Sequence, residues 1–231
     1  MISGKRVIAA MLTALMAVTF TANTAVSVYA TGVTATENAQ TIDAQSTDAQ
    51  ALTPEEQKAQ ELQQVYDMPV ESNGYKDWPQ GPGTYGEAGI VMEVGTGAIL
   101  YAKNIDAHEY PASITKVLTA LVALENGQLT DNVTFSHDSV AFLQRGDSSV
   151  GLKEGNVITL DQAMHAMLLA SANEAAYAIG ESVGVNAGHD YNWFIEQMNS
   201  RCKELGGENS NFANTNGLHD PNHYTCARDM A

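Results

Sequence analysis

Ser113 and Lys116 stand three residues apart, and no further charge follows until Glu125. On a helix that spacing puts both side chains on one face, about one turn from each other. A lysine at the mouth of an apolar helix is costly to bury as a cation. Burial and the positive helix N-terminus both disfavour its charge, so its pKa falls. A neutral amine beside a serine hydroxyl takes the proton as the oxygen attacks an acyl carbon. A helix-capping serine and a snorkelling lysine give the same pattern, so the pair alone does not assign a function.

Ser171-Ala172-Asn173 is the second chemical element. It too has a purely structural reading, because Ser171-x-x-Glu174 matches a capping box that would start a helix. Weaker signals are scattered elsewhere. His219 and His223 are four apart, but Pro221 between them argues for a loop rather than a helical metal pair. Cys202 and Cys226 are permitted a disulfide if the chain is exported, though spacing alone cannot place them within reach. Arg228 and Asp229 read as a surface or helix-start pair, and Trp78, Tyr85 and Tyr101 as core.

The elements that must position these residues follow from periodicity. Residues 114–124 are almost all apolar or small, which predicts a helix buried all round, with Pro111 before it and Gly127 as its C-terminal cap. Upstream, residues 88–94 and 98–102 read as strands joined by a Gly95-Thr96-Gly97 turn. Residues 131–155 read as loop-rich, with short apolar pieces at 133–135 and 140–143. Thr159-x-x-Gln162 is a capping box opening a helix whose stripe is Leu160, Ala163, Met164, Met167 and Leu168. Residues 175–179 are helical again. A further helix over 194–205 is stopped by Gly206-Gly207. Residues 212–224 form a loop, and a helix begins within 225–231.

The chain of 231 residues is 44% hydrophobic, enough for one domain with a sizeable core. Its start is no part of that core. Lys5 and Arg6 precede an apolar run over 7–20, and Val28-Tyr29-Ala30 supplies small residues for cleavage, so residues 1–30 read as a secretory signal peptide. The formal charge is −16; without Lys5 and Arg6, 9 basic residues face 27 acidic ones, a net −18. Such a chain is poorly suited to nucleic acid or anionic lipid. Residues 31–74 read as a low-complexity linker holding one short helix over 54–67, opened by the Thr53-x-x-Glu56 capping box. The folded domain is expected over 75–231.

Ser-x-x-Lys followed by Ser-x-Asn gives the first two of three signatures found in penicillin-binding proteins and class A β-lactamases. The likeness extends through residues 93–99, 111–119, 151–155, 168–173 and 217–231. Over roughly 75–231 the chain resembles the D-alanyl-D-alanine carboxypeptidases, the low-molecular-mass serine penicillin-binding proteins. The resemblance implies an α+β fold of the β-lactamase/DD-peptidase type, an antiparallel sheet with a helical subdomain. It implies Ser113 as the nucleophile attacking the carbonyl between the two terminal D-alanines of a peptidoglycan stem peptide. Lys116 would be the general base and Ser171 the proton relay to the leaving D-alanine. Asn173 would bind the substrate backbone and position Lys116. No cofactor or metal is implied. β-Lactam antibiotics are the implied covalent inhibitors, and the place of action is the cell envelope.

One departure accompanies the matches. The third signature, Lys-Thr-Gly or a variant, is not found after Asn173, where the only lysine is Lys203. The expectation is therefore a C-terminally truncated member with an incomplete sheet, inactive and poorly folded by itself. A class A β-lactamase is the alternative enzyme. It needs a Glu-x-x-Leu-Asn pattern that Glu196-Gln197-Met198-Asn199 only approaches. A non-catalytic cell-wall-binding homologue is the alternative outside enzymes.

Overall fold

The computed structural model describes residues 52–231. The expected signal peptide and residues 31–51 of the expected linker lie outside the described residues. The chain divides into two compact units. In the smaller, α1 (Pro54–Tyr66) starts at the predicted capping box, with Thr53 Oγ1 accepting from Glu56 N–H and the Glu56 carboxylate accepting from Thr53 N–H. None of its residues is buried. Its last residue, Tyr66, packs on Tyr85 at 4.9 Å between ring centroids.

The larger unit comprises residues 69–82 and 88–231. Its first sheet is the predicted hairpin, β1 (Gly89–Met92) antiparallel to β2 (Ile99–Lys103), with a register shift between Val91 and Met92. The Glu93 carboxylate closes the turn by accepting from the Gly95 and Thr96 amides. Trp78 and Tyr101 clamp this hairpin rather than filling a core: Trp78 Nε1–H donates to Leu100 O, and the Tyr101 hydroxyl to Pro82 O. Tyr85 is 62% exposed, so the core role expected of it fails.

A second two-stranded sheet, β3 (Asn132–Thr134) with β4 (Val157–Thr159), crosses the region read as loop. Between them lies one helical turn, α3 (His137–Ala141), capped by Ser136. Neither sheet is closed.

Four helices build the core: α2 (Thr115–Asn126), α4 (Leu160–Leu169), α5 (Asn173–Asn186) and α6 (Tyr191–Glu204). Val122, Leu160, Met167, Ile179, Phe194 and Met198 meet there almost without exposure. Burying a side chain of that size is worth about 1.5–3 kcal/mol. Ten of the fourteen residues of α5 are buried, which makes it the central element against which the others pack. Its alanines and glycines allow that close approach. A last short helix, α7 (Ala227–Met230), closes the described chain.

Two details of α2 differ from expectation. Its apolar residues are not sheathed all round: Thr115, Lys116, Thr119, Ala120, Val122 and Ala123 are buried, while Val117, Leu118, Leu121 and Leu124 are half-buried. Gly127 is the C-cap, but with extended backbone (φ −136°) rather than left-handed. Glycine fits there because a Cβ would stand 3.2 Å from both Ala123 O and Leu160 Cδ2.

Candidate active site

The approach to α2 is not plain helix. Ala112 has φ +47°, and a single 3-10 turn (Ala112–Ile114) carries the exposed Ser113 before the α-helix begins at Thr115. A left-handed alanine costs roughly 1–2 kcal/mol, so the surrounding structure must hold it. Gly217 is part of that support. It has φ +83°, and a Cβ on it would lie 1.8 Å from Ala112 O, so only glycine permits the two backbones to meet.

His223 pins the same corner. Its Nδ1 accepts from Ala213 N–H at 3.0 Å, which leaves the ring proton on Nε2 to be donated to Thr115 Oγ1 at 2.7 Å. Burial pushes its pKa down to about 4, against a smaller upward pull from Asp220, so the ring is neutral. Both nitrogens are engaged, which is a structural role and not a metal ligand's. No group of three or more metal-ligating side chains occurs among the described residues.

Lys116 is 2% exposed. Its Nζ lies 3.0 Å from Ser113 Oγ, 2.9 Å from Asn173 Oδ1 and 2.6 Å from the backbone oxygen of Asn216. Desolvation lowers its pKa to about 8, and the Glu174 charge offsets part of that. The three neighbours suit a neutral amine well. Once the amine is deprotonated, its two N–H bonds can serve the Asn173 and Asn216 oxygens, which leaves its lone pair to receive the Ser113 proton.

Ser171 sits between α4 and α5 at φ +56°. Its hydroxyl donates to Ser113 Oγ at 3.0 Å. The capping reading of Ser171-x-x-Glu174 is thereby overturned. α5 has Ala172 at its N-cap and no side-chain cap. Glu174, fully buried, instead accepts from Ser149 Oγ, Val150 N–H and Gly151 N–H. Asn173 is held by its own N–H, which donates to Ser148 O. The 148–151 loop is thus tied to the start of α5 at two successive residues.

The structure brings Ser113, Lys116, Ser171 and Asn173 into one cluster. Sequence reasoning missed Asn216, whose contribution is a backbone carbonyl and so has no residue-type signature, and missed Glu174 as more than a cap. The Asn214-Thr215-Asn216-Gly217 turn was the available signal. Asn214 Oδ1 accepts from Gly217 N–H at 2.7 Å, fixing the turn that aims Asn216 O. The weaker candidates fall elsewhere. Cys202 and Cys226 are buried, unpaired thiols. Arg228 forms a two-pronged ion pair with Asp106, while Asp229 accepts from Asn209 N–H and Ser210 Oγ, so the two are not a pair. His219 packs edge-on against Tyr110. Glu196 is exposed on α6, and Asn199 is engaged with the Phe212 backbone.

A reactive hydroxyl flanked by a buried amine and a second hydroxyl has the geometry of a serine acyl-transfer centre. Comparison with known proteins narrows that class. A family profile described as D-alanyl-D-alanine carboxypeptidase matches residues 79–231. D-alanyl-D-alanine carboxypeptidase DacA of Haemophilus influenzae is 34% identical over 147 residues, covering 62% of this chain and 36% of that protein. DacF of Bacillus subtilis is 33% identical over 150 residues, covering 63% and 37%. The crystal structure of penicillin binding protein 5 from Haemophilus influenzae superposes with a TM-score of 0.59 at 32% identity, over 66% of this chain and 45% of that one. The chain belongs to the D-alanyl-D-alanine carboxypeptidase family and has the α+β fold of its DD-peptidase neighbours. The matches cover little more than a third of the full length of the two named relatives.

Proposed function

We propose that residues 75–231 form the nucleophile-bearing part of a serine D-Ala-D-Ala carboxypeptidase, exported to the cell envelope by the signal peptide at 1–30. The observation that supports this best is Lys116, buried and depressed in pKa to about 8, with its Nζ 3.0 Å from Ser113 Oγ. Ser113 Oγ attacks the carbonyl carbon between the terminal D-alanines of a peptidoglycan stem peptide, and its proton passes to Lys116 Nζ. The tetrahedral intermediate collapses as Ser171 delivers a proton to the departing D-alanine nitrogen. The Lys116 ammonium then returns the proton it took from Ser113 to the Ser171 oxygen, which stands beside the same Ser113 Oγ. Water then releases the shortened peptide from the acyl-serine. Asn173 holds Lys116 and offers its side-chain amide to the substrate backbone. A β-lactam presents a similar acyl group and acylates the same serine. Among the described residues no helix is long and apolar enough to cross a membrane.

The test is to label the protein, as its cells make it, with fluorescent penicillin and to map the modified peptide by mass spectrometry. The label is expected on Ser113, absent in Ser113→Ala and slowed by about 10²–10⁴ in Lys116→Ala. Undiminished labelling of Ser113→Ala would refute the assignment, and rapid loss of label would favour the lactamase reading. The pH dependence has a definite sign. Attack needs neutral Lys116, so the labelling rate rises as pH passes about 8 and then levels. Stability follows the same sense. The unfolded lysine holds its proton up to about 10.5 and the folded one only to about 8, so stability increases with pH across that window.

A further inference from the structure

Glu174, on the first turn of α5, is fully buried, and its two carboxylate oxygens have different surroundings. Oε1 accepts from Ser149 Oγ at 2.7 Å, Val150 N–H at 2.8 Å and Gly151 N–H at 3.2 Å. Three donors converging on one oxygen suit an ionised carboxylate, which only accepts. Oε2 is buried with no hydrogen-bond partner among the described residues. The loop thus accounts for one oxygen and leaves the other unexplained, although a buried charge without a counterpart is costly. The preceding residue, Asn173, accepts from Lys116 Nζ at 2.9 Å, which brings the buried amine and the buried carboxylate to the same end of α5. They make no direct ion pair. Yet Glu174 is the only charged group among the described residues that acts on Lys116, and it acts against desolvation.

We propose that Glu174 is a positioning residue of the Ser113 centre, a buried counter-charge that acts on the reaction through Lys116. The inference rests on the peptidase reading above and adds an electrostatic control to it. Everything Lys116 touches is neutral: a hydroxyl, a side-chain amide and a backbone carbonyl. His223, beyond Thr115, is neutral as well. The charged groups of the packed helices stand away from the amine. Asp161 and His165 of α4 and Glu196, Lys203 and Glu204 of α6 are exposed. Arg201 pairs with Glu125, nine residues beyond Lys116, and Glu181 lies two turns farther along α5 than Glu174. When Ser113 gives up its proton, a cation appears where water hardly reaches. A fixed negative charge nearby stabilises that ammonium more than the neutral amine, so it favours the transition state over the resting pair. Desolvation alone would leave a weaker base.

The experiment supplies the chain with lysine isotope-enriched at Cε and follows the Lys116 NMR signal, assigned by its loss in Lys116→Met, as pH is raised. Glu174→Gln keeps the size of the side chain and an oxygen for the loop but removes the charge. It is expected to lower the Lys116 midpoint by about half a pH unit or more, a roughly threefold larger neutral fraction on the acid side. The pH profile of penicillin labelling moves down with it. Glu174→Ala is a second neutral variant with the same expectation, which keeps the test open where the glutamine does not fold. Glu174→Asp keeps the charge, and Ser149→Ala loosens the loop without touching one; each is expected to show less than half of that shift. A midpoint unmoved in the neutral variants, or lowered as far by Glu174→Asp or Ser149→Ala, overturns the proposal. The titration needs no substrate. A charge-dependent midpoint in a chain that penicillin does not label at Ser113 keeps the coupling and removes the peptidase, and labelling with a fixed midpoint does the reverse.

Discussion

At Thr159 a hydroxyl accepts from Gln162 N–H at 3.2 Å and the Gln162 side chain accepts from Thr159 N–H at 3.0 Å, so α4 begins with both orphan donors satisfied. At Ser171 the same pattern precedes α5, yet neither half of the box forms. The serine turns into the left-handed region and gives its hydroxyl to Ser113, while Glu174 reaches across to the 148–151 loop. The two starts differ in what surrounds them. Thr159 and Gln162 are on the surface, where water leaves local hydrogen bonding to decide. Ser171 and Glu174 face other segments that offer stronger partners. A capping pattern therefore predicts a cap only where nothing else competes for its oxygens, and its failure marks a place where helix stability has been given up for another purpose.

Three substitutions, one of them read in two ways, press on that contrast. The largest effect is expected from Ser171→Gly on penicillin acylation, about a hundredfold slowing or more, because the proton path from Ser113 is cut; stopped-flow or time-resolved labelling measures it. Next comes Glu174→Ala, which strands two backbone donors and a hydroxyl around the 149–151 loop. A loss of about 3 kcal/mol is expected in denaturant unfolding, and a loss under 1 kcal/mol would show that the loop is not held by this residue. Thr159→Ala removes an ordinary cap, so a stability loss of about 1 kcal/mol with unchanged labelling is expected. The smallest effect is the stability of Ser171→Gly, a gain of a few tenths to about 1 kcal/mol from relief of the positive φ. A loss there would mean that the Ser171 hydroxyl contributes to folding as well as to chemistry.

Legibility in the sequence tracks this division. The helices were readable where apolar spacing and surface capping agree, as at Thr53, Thr159 and the stripe from Leu160 to Met167, although Leu168, expected in that stripe, is 40% exposed. The hairpin was readable because Gly95-Thr96-Gly97 interrupts two apolar runs. β3 and β4 were not, since three residues are too few to show alternation and no turn signal joins strands so far apart. The grouping of Ser113, Lys116, Ser171 and Asn173 was legible only through motif resemblance, because helix geometry relates the first pair and nothing local relates it to the second. Asn216 stayed hidden for a different reason. It acts through its carbonyl, and every residue has one. The conformations of Ala112 and Ser171 were equally invisible, as neither residue type favours φ above zero.

The backbone contact between Ala112 and Gly217 bears on timing. During synthesis Ser113 emerges roughly a hundred residues before the glycine that locks its turn and the carbonyl that holds its lysine. Until that later segment docks, Lys116 is solvated and protonated and Ser113 is an ordinary alcohol. A nascent chain, or one threaded unfolded through a membrane, therefore carries a chemically silent serine, and reactivity appears only when contacts about a hundred residues apart in sequence close.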